Sequence, residues 1–125
     1  MKTILLVDDE YALVENLTEL LEEEGYRVVS ASNGKDGLAM LDKERPDLVV
    51  TDLMMPISDG KELVRGVKAL PAFRAVPIVM MSATTKEVAL ADGTGVLEVS
   101  MFVKKPLRWE KLLEAIVGLI GPAGR

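Results

Sequence analysis

Two groups of carboxylates in this chain each follow a short apolar run. Asp8-Asp9-Glu10 comes directly after Ile4-Leu-Leu-Val7, and Asp52 closes the run that starts at Leu48-Val-Val-Thr51. Short apolar, β-branched runs read as buried parallel strands, and Pro56 and Gly60 stop the second one from continuing. In open α/β sheets ligands bind outside the carboxyl ends of strands, so both runs deliver acids to the edge where chemistry is done. Two like charges about 4 Å apart cost about 4 kcal/mol at an effective dielectric of about 20. Asp8, Asp9 and Asp52 converging on one pocket therefore need a cation or protons to relieve their repulsion. Mg²⁺ suits such a site, because it prefers oxygen ligands and keeps several waters. Taken singly, each Asp could merely cap a helix or turn, and for Asp9 alone that is the better reading. For the trio, together with the residues below, it is not.

Ser82 ends a further apolar run, Ile78-Val-Met-Met-Ser82, and Lys105 lies just past Met101-Phe-Val-Lys104. A hydroxyl and an ammonium at that same edge supply a hydrogen-bond donor and a positive charge for phosphoryl oxygens. Alone, Ser82 reads as a turn residue and Lys105 as a solvated charge. Their place at successive strand ends is what favours function. Lys104 competes with Lys105, but strand alternation sends it to the opposite face. The Lys105-Pro106 bond admits a cis peptide.

The elements that must position these residues alternate strand and helix five times. Strands are expected over residues 3–8, 26–31, 47–52, 78–82 and 101–104. Leu13, Leu17, Leu20 and Leu21 recur at helical spacing between Tyr11 and Glu24, with acids on the other face and Gly25 as the stop. A short helix is expected from Lys35 to Glu44, closed before Pro46, and another from about Ser58 to Leu70. The last helix carries Trp109, Leu112, Leu113, Ile116 and Ile120. Strict alternation implies an α/β fold, a parallel sheet with helices on both faces.

The region from Thr84 to Ser100 fits this scheme least. Asp92-Gly93-Thr94-Gly95 interrupts the helix due there, so a short helix over about Lys86–Ala91 and then a loop are expected. The stretch from about Ala91 to Val99 is expected to be mobile and to gain order when the site takes a phosphoryl group or a partner binds. Gly93-Thr94-Gly95 is read as a glycine turn rather than a dinucleotide motif, since no third glycine stands three residues on.

Composition narrows the classes. The 125 residues suit one domain, residues 1–121, with 122–125 as a frayed tail or linker stub. Hydrophobic residues at 49% and charged residues at 28% mark an ordinary globular chain. A net charge of −5 argues against direct nucleic-acid binding, which needs a basic face. Without cysteine or histidine there is no disulfide frame, thiolate site, imidazole base or histidine phosphocarrier. No apolar run approaches the roughly 18 residues of a membrane span and no signal peptide opens the chain, so a cytoplasmic location without membrane attachment is expected.

With these residues in view, the chain resembles the receiver domain of two-component response regulators, in particular the chemotaxis regulators. The matching features are Asp8-Asp9, Asp52-Leu-Met-Met-Pro56 with Asp59-Gly60, Ser82-Ala83, and Lys105-Pro106. Ala31-Ser-Asn-Gly34 and Arg45-Pro-Asp47 match as well, so the likeness runs through essentially the whole length. The resemblance implies a doubly wound, flavodoxin-like, five-stranded parallel sheet in the order 2-1-3-4-5. It implies that Asp52 is a phosphoacceptor serving a sensor histidine kinase or phosphotransfer protein, and that its phosphorylation switches binding of a downstream output protein or domain. Asp8, Asp9 and Asp52 would hold Mg²⁺ with the backbone carbonyl of Met54. Lys105 would pair with the aspartate or its phosphate, Ser82 would move towards the phosphoryl group, and Phe102 would follow inward as the aromatic switch. Such a domain is a signalling phosphoprotein that assists its own phosphorylation and dephosphorylation rather than an enzyme. Val99-Ser100 replace the family's small Gly-Ala pair before the fifth strand.

Two alternatives are kept beside this reading. One is a degenerate receiver acting as a phosphorylation-independent interaction domain. The other is a Mg²⁺-dependent phosphohydrolase with Asp52 as nucleophile, against which no second aspartate stands two residues after Asp52. The cognate kinase, the output and the phosphate lifetime are not legible, nor is whether the chain stands alone or belongs to a longer protein.

Overall fold

A computed structural model describes residues 1–93 and 95–123. Strands β1 (Thr3–Val7), β2 (Arg27–Ala31), β3 (Leu48–Asp52) and β4 (Ile78–Ser82) alternate with helices α1 (Tyr11–Glu23), α2 (Gly34–Ala39), α3 (Leu41–Glu44) and α4 (Gly60–Ala69). After them come α5 (Lys86–Leu90), β5 (Ala91–Asp92), β6 (Gly95–Val96), β7 (Met101–Lys104) and α6 (Trp109–Ile120). The main sheet has five parallel strands in the order β2-β1-β3-β4-β7, the doubly wound arrangement that the family resemblance implies.

Strand alternation divides the core into two layers. Leu5, Val7, Val49, Ile78 and Met80 face Leu41 of α3, Leu63, Val64 and Val67 of α4 and Leu90 of α5. Ile4, Leu6, Leu48, Val50, Val79 and Met81 face Leu17 and Leu21 of α1 and Leu112 and Ile116 of α6. Every residue of β1, β3 and β4 is buried, which is why these strands read as continuous apolar runs rather than alternating ones.

Most boundaries move by one or two residues from expectation, and three regions differ in kind. The helix expected over Lys35–Glu44 breaks at Met40, whose N–H bonds to Gly37 O, three residues back, before regular bonding resumes with Glu44 N to Met40 O. The loop expected after α5 is instead a small antiparallel hairpin, with Ala91 opposite Val96 and Asp92 opposite Gly95. This segment, expected to be mobile, is tied to α4 at both residues of β5. Of the glycine turn at Gly93-Thr94-Gly95, Thr94 lies outside the described residues.

The third difference is the expected frayed tail. The Tyr26 hydroxyl donates to Gly121 O at 2.7 Å, Lys2 Nζ donates to Ile120 O and Pro122 O at 2.5 and 2.8 Å, and Ala123 is buried. The start of the tail is thus docked against β1 and the turn before β2. Gly124 and Arg125 lie outside the described residues.

Candidate functional site

Sheet register brings the predicted residues to one edge. Val7 pairs with Thr51, so Asp8 leaves β1 beside Asp52 at the end of β3. Asp52 pairs with Met81, which puts Ser82 one step further along β4, and Ser82 pairs with Lys104, which puts Lys105 just past β7. Each side chain is therefore aimed by backbone pairing in a buried sheet.

The result is a compact cluster. One carboxylate oxygen from each of Asp8, Asp9 and Asp52 lies within 4.8 Å of the others. Lys105 Nζ donates to Asp8 Oδ2 at 3.1 Å and lies 3.2 Å from Asp52 Oδ1. Asp8 is buried, and its other oxygen accepts from the Glu10 N–H at 2.9 Å. Asp52 is buried too, whereas Asp9 is exposed. Lys104 is exposed, so the ammonium that enters the cluster is that of Lys105. The Lys105-Pro106 peptide is cis.

Charge crowding shows in the acid–base behaviour. Burial raises the Asp52 pKa above the usual carboxylate value and neighbouring Asp8 raises it further; Lys105 and the Leu53 N–H offset this only in part. For Lys105, burial disfavours the charge, but Asp8 and Asp52 together outweigh it and the net direction is up. Lys105 thus serves two of the three acids, Asp8 and Asp52. All donors in the set are hard carboxylate oxygens, the ligand chemistry that Mg²⁺ prefers.

The loop between β3 and α4 closes one wall of the cleft. Asp59 caps α4, accepting from the Glu62 N–H at 2.9 Å, while the Glu62 carboxylate accepts from the Asp59 N–H at 3.2 Å in a capping box. Gly60 lets that helix begin against the strand end, since a Cβ there would sit 2.3 Å from the Asp52 carbonyl oxygen. Gly34 meets the same loop, its N–H donating to Ser58 O at 2.8 Å.

Ser82 is buried at the cleft, where its Oγ accepts from the Thr84 N–H at 3.1 Å. Met54 is exposed and borders the cleft. Phe102 stands opposite Met80 on β7, partly buried against the core layer beneath α4, and is not among the residues lining the cleft. Three lining residues escape the sequence reading: Lys61, Thr84 and Val88. Lys61 sits in the first turn of the helix that Asp59-Gly60 starts, and Thr84 two residues after Ser82. Both are within reach of the sequence once each strand-end residue is traced onward into its next helix.

Comparison with known proteins agrees with this geometry. The family model of the response regulator receiver domain matches residues 4–117. The transcriptional regulatory protein AfsQ1 of Streptomyces coelicolor is 34% identical over 93 residues, 74% of this chain but 40% of that protein, so the chain spans less than two thirds of this relative. The chemotaxis protein CheY4 of Vibrio cholerae superposes with a TM-score of 0.86 at 28% identity, covering 95% of this chain and 98% of that one. The receiver domain of the sensor histidine kinase PA1611 of Pseudomonas aeruginosa, solved with a magnesium ion coordinated in its active-site cleft, has a TM-score of 0.82. It is 25% identical and covers 96% of this chain and 98% of that one.

Proposed function

This chain belongs to the response regulator receiver domain family of two-component systems, and we propose that it is an active receiver whose Asp52 takes a phosphoryl group from a histidine kinase or phosphotransfer protein. The observation that carries this reading is Lys105 Nζ, held 3.1 Å from Asp8 and 3.2 Å from Asp52 within a three-carboxylate cluster.

In the proposed reaction an Asp52 oxygen forms a bond to phosphorus as the bond to the donor's imidazole nitrogen breaks. The nitrogen keeps the electron pair and the donor returns to histidine. Asp52 can attack only in its ionised form, which Lys105 favours against the pull of burial and Asp8. After transfer, the Lys105 ammonium pairs with the phosphoryl oxygens, and the Ser82 O–H, whose oxygen now accepts from Thr84, is free to donate to them. Asp8, Asp9, Asp52 and the Met54 carbonyl would hold Mg²⁺, which when bound offsets the negative charge of carboxylates and phosphoryl oxygens alike. The aspartyl phosphate brings roughly −1.5 to −2 charge and strong acceptors to the cleft, biasing a two-state equilibrium that Ser82 and Phe102 report to an output protein or domain. In this reading the chain works in the cytoplasm as a signalling module rather than an enzyme acting on free substrates, and does not itself bind nucleic acid or membrane. Among its described residues no helix is long and apolar enough to cross a membrane.

Incubation with acetyl phosphate and Mg²⁺ tests the proposal. Intact mass should rise by one phosphoryl group, and EDTA or Asp52→Asn should abolish the gain. Undiminished labelling of Asp52→Asn would overturn it; absence of labelling in the parent would favour the phosphorylation-independent alternative.

A further inference from the structure

Lys61 borders the cleft together with Asp52, Ser82 and Lys105, yet its ammonium is engaged elsewhere: Nζ donates to Ala91 O at 2.5 Å. One turn further along α4, Arg65 pairs with Asp92 at 2.7 Å. Two cations of one helix thus hold both residues of β5. The start of α4 is held close to Asp52: a Cβ at Gly60 would sit 2.3 Å from the Asp52 carbonyl oxygen, and the Gly60 N–H donates to Leu53 O at 2.8 Å. Whatever happens to the charge on Asp52 therefore happens beside a lysine on a fixed base, with a flexible four-carbon stem and a choice of acceptors.

On the premise that Asp52 is the phosphoacceptor, we propose that Lys61 is a second phosphoryl-binding cation whose recruitment to the phosphoryl oxygens frees the β5–β6 hairpin. The competing acceptors are unequal. Ala91 offers a neutral carbonyl, whereas a phosphoryl group is a multiply charged acceptor, so the Lys61 ammonium gains the Coulomb attraction of an ion pair there in addition to a hydrogen bond. An anionic donor approaching three carboxylates also meets net repulsion, which a cation at the cleft's edge reduces. Lys61 therefore acts first as a positioning residue for the incoming phosphate and then as the link to the hairpin. The hairpin loosens on phosphorylation, the reverse of the gain in order expected from the sequence.

The test uses the full chain and three variants, each checked for folding by circular dichroism. Lys61→Met should slow labelling by acetyl phosphate about fivefold, and Lys61→Arg should restore most of the rate. Hydrogen exchange at the Leu97 amide, which bonds to Leu90 O at 2.7 Å at the base of the hairpin, should rise in the parent on adding beryllofluoride with Mg²⁺. In Lys61→Met it should already be high and should not respond. Arg65→Ala, which cuts the other tie, should raise exchange but label at the parental rate. If Lys61→Met behaves like Arg65→Ala, loosening the hairpin without slowing phosphorylation, Lys61 is a structural tie and the proposal fails. It fails equally if a normally labelled parent shows no change in hairpin exchange with beryllofluoride. A parent that takes no label at all removes the premise about Asp52 instead.

Discussion

Lys61 stands between two regions that are held in opposite ways. On one side, Asp8, Asp52, Ser82 and Lys105 are set by the pairing of parallel strands, three of them buried throughout. On the other, the β5–β6 hairpin has two residue pairs of its own and is tied to α4 by side chains. Moving a site residue means breaking a sheet in the core. Moving the hairpin means trading a few hydrogen bonds for water, each worth about 1 kcal/mol net. A switch needs both kinds of attachment: a fixed place where charge changes, and a nearby element that a change of charge is able to displace.

Glycines on the two sides give the largest expected contrast. Gly60→Ala places a methyl group 2.3 Å from the Asp52 carbonyl oxygen and 3.0 Å from Leu53 Cα, backbone atoms that cannot turn aside. The cost should be about 3 kcal/mol in urea unfolding, at the upper end for overpacking. Gly95→Ala in the hairpin meets nothing nearer than Asp92 O at 3.9 Å and should change stability by less than about 0.5 kcal/mol. Comparable costs at the two positions would erase the distinction.

Asp52→Asn should sharpen it from the site's side. The folded-state pKa of Asp52 is raised, by burial first and by Asp8 second, so folding disfavours its ionised form relative to the unfolded chain. The neutral form's contribution is fully present below the unfolded carboxylate value and is lost as pH rises through the folded value. At neutral pH without Mg²⁺ the ionised Asp52 therefore costs stability, and Asp52→Asn should show a higher urea midpoint than the parent. The difference should shrink as pH falls into the carboxylate range, and shrink also on adding Mg²⁺ to the parent. A variant less stable than the parent at pH 7 would mean that Lys105 more than offsets burial and Asp8.

The same contrast decides what can be read from the sequence. Buried strands leave a strong imprint, because Ile4 to Val7, Leu48 to Val50 and Ile78 to Met81 are all apolar, and a period of two then fixes where Asp8, Asp52 and Ser82 stand. Lys105 is separable from Lys104 by that alternation together with the family resemblance, which places the lysine directly before the proline. The hairpin leaves almost no imprint, since two paired residues are too few for periodicity and its ties come from Lys61 and Arg65, about 30 residues earlier. The docked tail escapes for a related reason: Tyr26 and Lys2 hold it from the other end of the chain. The break at Met40 depends on a shift of one hydrogen bond, which composition does not encode.

Ile57 belongs to the fixed side yet carries strain there. Its φ is +69°, a region that β-branched residues avoid, and its side chain is 80% exposed. Nothing is gained by burial, so Ile57→Asn, which tolerates this conformation, should stabilise the protein by about 0.7 kcal/mol. An unchanged or lower midpoint in urea would show that the Ile57 side chain contributes to the loop in a way its exposure conceals.

The smallest expected effect is on the hairpin itself. Arg65 and Asp92 are 47% and 37% exposed at their side chains, so their 2.7 Å pair is open to solvent and screened by salt. Exposed pairs of this kind are worth about 0.2–1 kcal/mol, and Arg65→Ala should lower global stability by no more than about 0.5 kcal/mol. Its consequence should appear locally, because the opening free energy of a small surface unit is far below that of the whole fold. Exchange at the Leu97 amide should therefore quicken while amides of β1 and β3 keep their protection, and salt at about 0.5 M should produce the same local change in the parent. Equal acceleration in the hairpin and the central strands would mean that the two regions unfold together, and that the hairpin is as firmly built into the fold as the site it adjoins.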